Sequence, residues 1–234
     1  IPLLACFVSL AAVVPIVLSS RHPNLREAWT FLAGLVKLSL VMTLVPEVLA
    51  GKVIEYTLWE ILPGVSIQFR VDGLGLMFAL VASFLWILTS LYSIGYMRGL
   101  NEHAQTRFFA FSAVALCATL GVAFSANLLT LYLFYEVLSL STYPLVTHHQ
   151  DKEARIGGRT YLIYLMGTSI LFALPALCYA YIKSGGVMDF STGGFLADRV
   201  GPTEATILLI LLVYGFAKGG LMPFHSWLPS AMVA

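Results

Sequence analysis

Long apolar stretches alternate along the chain with short polar connections. Seven stretches, at residues 3–20, 28–49, 74–97, 108–124, 127–147, 160–182 and 205–228, each carry about 20 mostly apolar residues. That is the length a helix needs to cross a hydrocarbon core of about 30 Å. The pattern predicts an all-α polytopic membrane protein with about seven transmembrane helices. Only Ser125-Ala126 separates the fourth stretch from the fifth, so these two form a tight helical hairpin. One connection follows a different period. Val65, Ile67, Phe69 and Val71 alternate with Ser66, Gln68, Arg70 and Asp72, and a looser alternation of Ile54, Tyr56 and Leu58 with Glu55 and Thr57 precedes it. Pro63-Gly64 lies between the two runs. Period two on either side of a turn pair predicts a small external β-hairpin over about 53–72, between the second and third helices. A lone hairpin is marginal in water, so it is expected to lie on neighbouring helices or on another subunit. The connection 183–204 is rich in Gly and acid, without periodicity, and is assigned no chemistry.

Composition narrows the class further. Charged residues are 11% and hydrophobic residues 59%, whereas soluble domains carry about 25% charge, so a soluble globular domain is excluded. Thirteen Lys+Arg against 12 Asp+Glu leave a net charge of +1, which excludes nucleic-acid binding through a basic face. Cys6, Cys117 and Cys178 sit in apolar runs and cannot form a disulfide framework. No Cys/His spacing suits zinc, haem or an iron–sulfur cluster, and no metal or cofactor is expected. The connections after helices one, three and five hold Arg21, Arg26, Arg98, Arg107, Lys152, Arg155 and Arg159. Those after two, four and six hold Lys52, Arg70, Lys183 and Arg199. This asymmetry predicts that the first set is cytoplasmic, with the N-terminus outside. The sequence starts at Ile1 without Met and ends at Ala234 without a polar tail, and is expected to be part of a longer protein.

Ionisable side chains at bilayer depth cost several kcal/mol, about 2.5–3.5 on the mildest scale, and mark ion pathways. Three lie well inside the predicted spans: Lys37, Glu136 and Lys218. Glu136 is near the middle of the fifth. Tyr132, Tyr135, Ser139 and Tyr143 lie near it or at helical spacing from it, where they could bond its carboxylate. Lys218 is followed by Gly219-Gly220 and Pro223. Two glycines soften the backbone, and the proline removes a hydrogen bond and clashes with the preceding turn, so the seventh helix is predicted to be broken. Non-helical backbone at this depth survives only where protein or water covers it, and discontinuous helices build transporter ion sites. Glu136 and Lys218 are the primary proton-translocation candidates. Lys37 is weaker, because its stem could reach the interface from about nine residues into its helix. His225, just beyond the break, is also weaker; it could relay a proton or cap freed carbonyls. His22, His103 and the His148-His149 pair are expected to be solvated.

The stretches LYLFYEVLSLSTYPLV and GFAKGGLMPFHSWLPSAM, together with FRVDGLGLMF at the start of the third helix, resemble the proton-conducting antiporter-like membrane subunits. These are shared by respiratory complex I, membrane-bound hydrogenases and Mrp-type Na⁺/H⁺ antiporters. The resemblance covers most of the chain, and Glu136 and Lys218 match the family's helix-five glutamate and helix-seven lysine. It implies a parent of about fourteen helices with two inverted five-helix repeats, the first formed by helices four to eight. Residues 1–106 would then hold helices one to three with the hairpin, and 107–234 an incomplete repeat of helices four to seven. Ser230 stands where many relatives have Asp, and helix six lacks an acid that some complex I relatives carry. Both departures lean towards the D-type subunit of Mrp antiporters.

Burial disfavours charge on either group, whereas bringing Glu136 and Lys218 together favours both charged forms. A pair that opens and closes would switch Lys218 between holding and releasing its proton. The resemblance implies such a pair, driven by neighbouring subunits. Three functions compete: a transport subunit of an Mrp-type cation/proton antiporter, the proton-pumping arm of a complex I-like or hydrogenase-like enzyme, and a membrane scaffold whose buried charges fix helix register. The chain offers no redox or hydrolytic site, so redox chemistry would belong to partner subunits. Expected partners are lipid, other membrane subunits, protons and either Na⁺ or K⁺, with no nucleic acid. The expected location is a bacterial or archaeal inner membrane.

Overall fold

The computed structural model describes residues 1–62 and 64–233, with the side chains of Leu62 and Val233 left aside. The elements, in chain order, are α1 (Pro2–Leu18), α2 (Pro23–Leu49), β1 (Ile54–Leu62), β2 (Val65–Val71), α3 (Gly73–Gly99), α4 (Gln105–Ala123), α5 (Leu128–Val146) and α6 (Lys152–Thr168). A π-helical turn (Ser169–Ala173) leads into α7 (Leu174–Ser184). Then follow α8 (Pro202–Gly215), a 3₁₀ turn (Ala217–Gly219) and α9 (Trp227–Val233). Among the described residues, five helical stretches are long and apolar enough to cross a membrane: α2, α3, α4, α5 and the continuous run Lys152–Ser184. The first and seventh predicted spans correspond to shorter apolar helices, Pro2–Leu18 and Pro202–Gly215. The seventh is short because it breaks. The predicted β-hairpin is present as a two-stranded sheet; Pro63 of its turn lies outside the described residues.

Helix starts follow local chemistry. Asp72, Asn127 and Asp151 are N-caps, each accepting a backbone N–H three residues on, at 2.7, 2.8 and 2.7 Å. The chain divides into two compact units, Ile1–Thr57 with Gln68–Ser125, and Leu58–Ile67 with Ala126–Ala234. This packing boundary is a separate matter from the repeat-based division at 106/107.

In the first unit α1 packs on α2 and α4, and α2 on α3. Small side chains at the seams, among them Ala12, Ala33, Ala110 and Ala113, let the backbones approach around Ile16, Trp86 and Phe109. Leu74, Phe78, Val81, Leu85 and Leu88 of α3 point outward, as lipid-facing residues do. At one end Glu27 is enclosed between two arginines: Arg98 reaches it at 2.5 Å and Arg26 at 3.3 Å, and Arg26 also donates to Gln105 at 2.7 Å. Phe69 and Val71 bury one face of β2, and Arg70 N–H donates to the Phe124 carbonyl at 2.7 Å.

In the second unit the connection 183–204 has more order than its composition predicts. Phe190 N–H donates to the Ala126 carbonyl at 2.9 Å, and Met188 joins Val65, Leu128, Leu177 and Ala180 in an apolar cluster. Glu204 accepts from the Tyr179 hydroxyl at 2.8 Å, the Lys183 ammonium at 3.1 Å and Gly201 N–H at 3.2 Å. These donors, Tyr179 first, hold its carboxyl below the usual carboxylate range.

Candidate functional site

Two departures from α-helical backbone shape the second unit. The first is the π-turn. Pro175 has no N–H to give the preceding turn, and just ahead of it Leu174 N–H bonds to the Ser169 carbonyl, a five-residue step. Turns of this kind are common at functional sites. The second is the break after Gly215. Phe216 leaves helical geometry, Gly220 adopts φ +65°, and regular helix resumes only at Trp227. The interruption predicted between Lys218 and Pro223 is present and starts two residues earlier, so Lys218 lies within it. One freed carbonyl is recovered by a side chain: Trp227 Nε1 donates to Ala217 O at 3.2 Å. The two departures touch. A Cβ on Gly215 would lie 2.5 Å from the Ala173 nitrogen, so only glycine lets the end of α8 meet the π-turn this closely.

Each of the two primary candidate charges has a hydroxyl partner. Glu136 of α5 accepts a hydrogen bond from Ser169 Oγ of the π-turn, and its second oxygen, Oε2, is buried without a hydrogen-bond partner. Lys218 donates to the Tyr161 hydroxyl at 3.3 Å, and its ammonium lies 5.3 Å from the Tyr135 ring centre and 5.6 Å from that of Tyr161. Among the described residues no ion pair joins Glu136 to Lys218. The donor to Glu136 is Ser169, in place of the tyrosines and serine of its own helix that spacing suggested. Side-chain oxygens on the sixth span, Tyr161 and Ser169, thus complete the site. Their signal in the sequence was a run of polar positions, Thr160, Tyr161, Tyr164, Thr168 and Ser169, inside a predicted span.

The weaker candidates have other surroundings. His225 is exposed. Lys37 belongs to the first unit and has 0% solvent exposure; its Nζ donates to the Leu116 carbonyl at 3.2 Å and sits 5.6 Å from the Trp86 ring centre. It does not snorkel.

Residues 125–234 match the family described as NADH:quinone oxidoreductase/Mrp antiporter, TM. Residues 63–109 match the N-terminal family of NADH-ubiquinone oxidoreductase (complex I), chain 5. Both matched stretches are thus those of antiporter-like membrane subunits. Curated relatives include the A-type Na⁺/H⁺ antiporter subunit of Alkalihalophilus pseudofirmus, 32% identical over 79% of this chain and 23% of the relative. The A1-type Na⁺/H⁺ antiporter subunit of Staphylococcus aureus is 30% identical over 83% of this chain and 24% of the relative. The chain therefore spans about a quarter of the length of these relatives. Both relatives are of the A type, whereas Ser230 and the missing acid lean towards the D type. The fold also matches a chain of the membrane-bound sulfane sulfur reductase, an archaeal respiratory membrane complex, with a TM-score of 0.83 at 20% identity. That match covers 98% of this chain and 47% of the other. Respiratory complex I from Thermus thermophilus gives a TM-score of 0.78 at 20% identity, covering 99% of this chain and 46% of the other. In this family fold Glu136 and Lys218 lie beside interrupted backbone, each tied to a hydroxyl on the sixth span.

Proposed function

We propose that this chain forms part of a proton (cation) translocating subunit in a multi-subunit cation/proton antiporter of Mrp type. The observation that carries the reading is the grouping, in one packed unit, of an acid and a lysine at membrane depth beside two interruptions of helical backbone. Neither charge is locked in an ion pair with the other, which leaves the pair free to close. Closing favours both charged forms, and parting favours proton release from Lys218 in apolar surroundings. The two groups then titrate as a coupled unit whose state neighbouring subunits set. Residues 107–234 act in this reading as most of one repeat, with 1–106 as the helices and hairpin preceding it. The first, third and fifth connections face the cytoplasm of a bacterial or archaeal cell, and Na⁺ or K⁺ is the counter-ion. A reporter fused after Lys152 would then read as cytoplasmic; an external signal there reverses the orientation.

The test is proton flux in inverted vesicles carrying the full-length parent, with Glu136→Gln and Lys218→Ala. Both variants are expected to insert at wild-type levels and lose flux; full flux in both leaves only the scaffold role. A second reading, the proton-pumping arm of a redox complex, is favoured by the fold shared with two respiratory complexes. Flux driven by an imposed Na⁺ or K⁺ gradient favours the antiporter, and flux that needs an electron donor favours the pump.

A further inference from the structure

Lys218 meets a chain of hydroxyls. The Tyr161 hydroxyl, 3.3 Å from its nitrogen, shares a hydrogen bond with Thr142 Oγ1, and Thr142 donates to the Leu138 carbonyl at 2.8 Å. We propose that Tyr161 is a positioning residue for the parted arrangement, in which it can hold Lys218 whether the lysine is charged or neutral, through a hydroxyl chain that reverses direction. The inference rests on the reading of Lys218 as a proton carrier.

An ammonium has three donors and no acceptor, whereas a hydroxyl can do both. With Lys218 charged, its N–H donates to Tyr161 Oη, the tyrosine O–H donates to Thr142 Oγ1, and the threonine O–H donates to Leu138 O. Each hydroxyl proton is used once. With Lys218 neutral, its nitrogen carries a lone pair. The Tyr161 O–H then turns to that nitrogen, and the Thr142 O–H turns to Tyr161 Oη. No covalent bond changes and no heavy atom has to move. Leu138 O is a suitable terminus, because as a helix carbonyl it keeps a backbone donor when Thr142 turns away. The rings of Tyr135 and Tyr161 attract only the cation, so the hydroxyl is the part of the cradle that serves the neutral amine. The Tyr161 ring also packs edge-on against Trp227, with centroids 5.6 Å apart, and phenylalanine preserves that packing.

The experiment measures proton flux and its pH profile in the full-length parent carrying Tyr161→Phe, Thr142→Val, Thr142→Ser or the Phe/Val double substitution. Insertion is measured alongside, with Lys218→Ala as reference. Tyr161→Phe is expected to lower flux about tenfold and alter the shape of the pH profile, the scale of one hydrogen bond to a charged group. Thr142→Val is expected to lower flux about threefold, the scale of one neutral hydrogen bond. Thr142→Ser should restore it. The double variant should match Tyr161→Phe alone, because Thr142 acts only through that hydroxyl. Wild-type flux and profile in Tyr161→Phe, additive losses in the double variant, or no rescue by serine would each overturn the proposal. Should Lys218→Ala keep its flux, the transport reading falls first. Should it lose flux while Tyr161→Phe keeps it, the hydroxyl chain alone falls.

Discussion

Lys37 in the first unit and Lys218 in the second both place an amine deep in apolar sequence, but their surroundings differ in kind. Lys37 rises from an unbroken helix, is wholly enclosed, and donates to a backbone carbonyl. A carbonyl only accepts, so it offers nothing to the lone pair of a neutral amine. Lys218 rises from a break, is half-buried, and donates to a hydroxyl that could also donate back. Burying a lysine is therefore not enough to make it a relay. What distinguishes the second lysine is soft backbone and a partner that can serve either protonation state. On this contrast Lys218 is the lysine proposed to relay protons, and Lys37 the one whose hydrogen bond ties α2 to α4.

The largest effect expected from this contrast is in Lys218→Ala. Flux should fall by about a hundredfold or more, the range for a removed proton-transfer group, while insertion persists because the span becomes more apolar. Next comes Gly215→Ala. Its methyl would meet Ala173 at 2.5–2.7 Å, and overpacking of this kind costs about 1–3 kcal/mol. A lowered melting temperature and flux reduced several-fold are expected; an unchanged variant would mean that the contact between break and π-turn is dispensable. Lys37→Met should be milder in flux, which is retained, with stability moved by no more than about 3 kcal/mol for the one charged hydrogen bond lost. If its flux fell as far as that of Lys218→Ala, the contrast between the two lysines would collapse.

The smallest effect is at the Glu204 contact. Its carboxyl sits below the usual range because Tyr179, Lys183 and Gly201 donate to it. A depressed carboxylate contributes stability that is present above its unfolded value and lost as pH falls through the folded one. Thermal melts of Glu204→Gln should therefore show a slightly shallower loss of stability in acid than the wild type. Identical acid profiles would remove this contact from the account.

Much of this was readable in the sequence because it depends on local rules. Apolar runs located the spans, period two located the hairpin, and Gly-Gly followed by Pro located the break. The site was read from the cost of charge in lipid, which singles out Glu136 and Lys218 without any knowledge of packing. Their partners were not readable. Tyr161 and Ser169 reach the site through the packing of the sixth span on α5, and no periodicity encodes that. Spacing within α5 suggested Tyr132, Tyr135, Ser139 and Tyr143 as donors to Glu136, whereas the bond comes from a neighbouring helix. The order in 183–204 was equally hidden, because it arises from backbone pairing with Ala126 and from single side chains such as Met188 meeting distant elements, with no periodic pattern.

Proton flux in the full-length parent carrying Lys218→Arg separates a relay lysine from a fixed one. Arginine keeps charge and reach but holds its proton across the accessible pH range. If Lys218 is a relay, the arginine variant should insert normally and be nearly as inactive as Lys218→Ala. Wild-type flux in the arginine variant would contradict the account and leave Lys218 as a fixed positive strut.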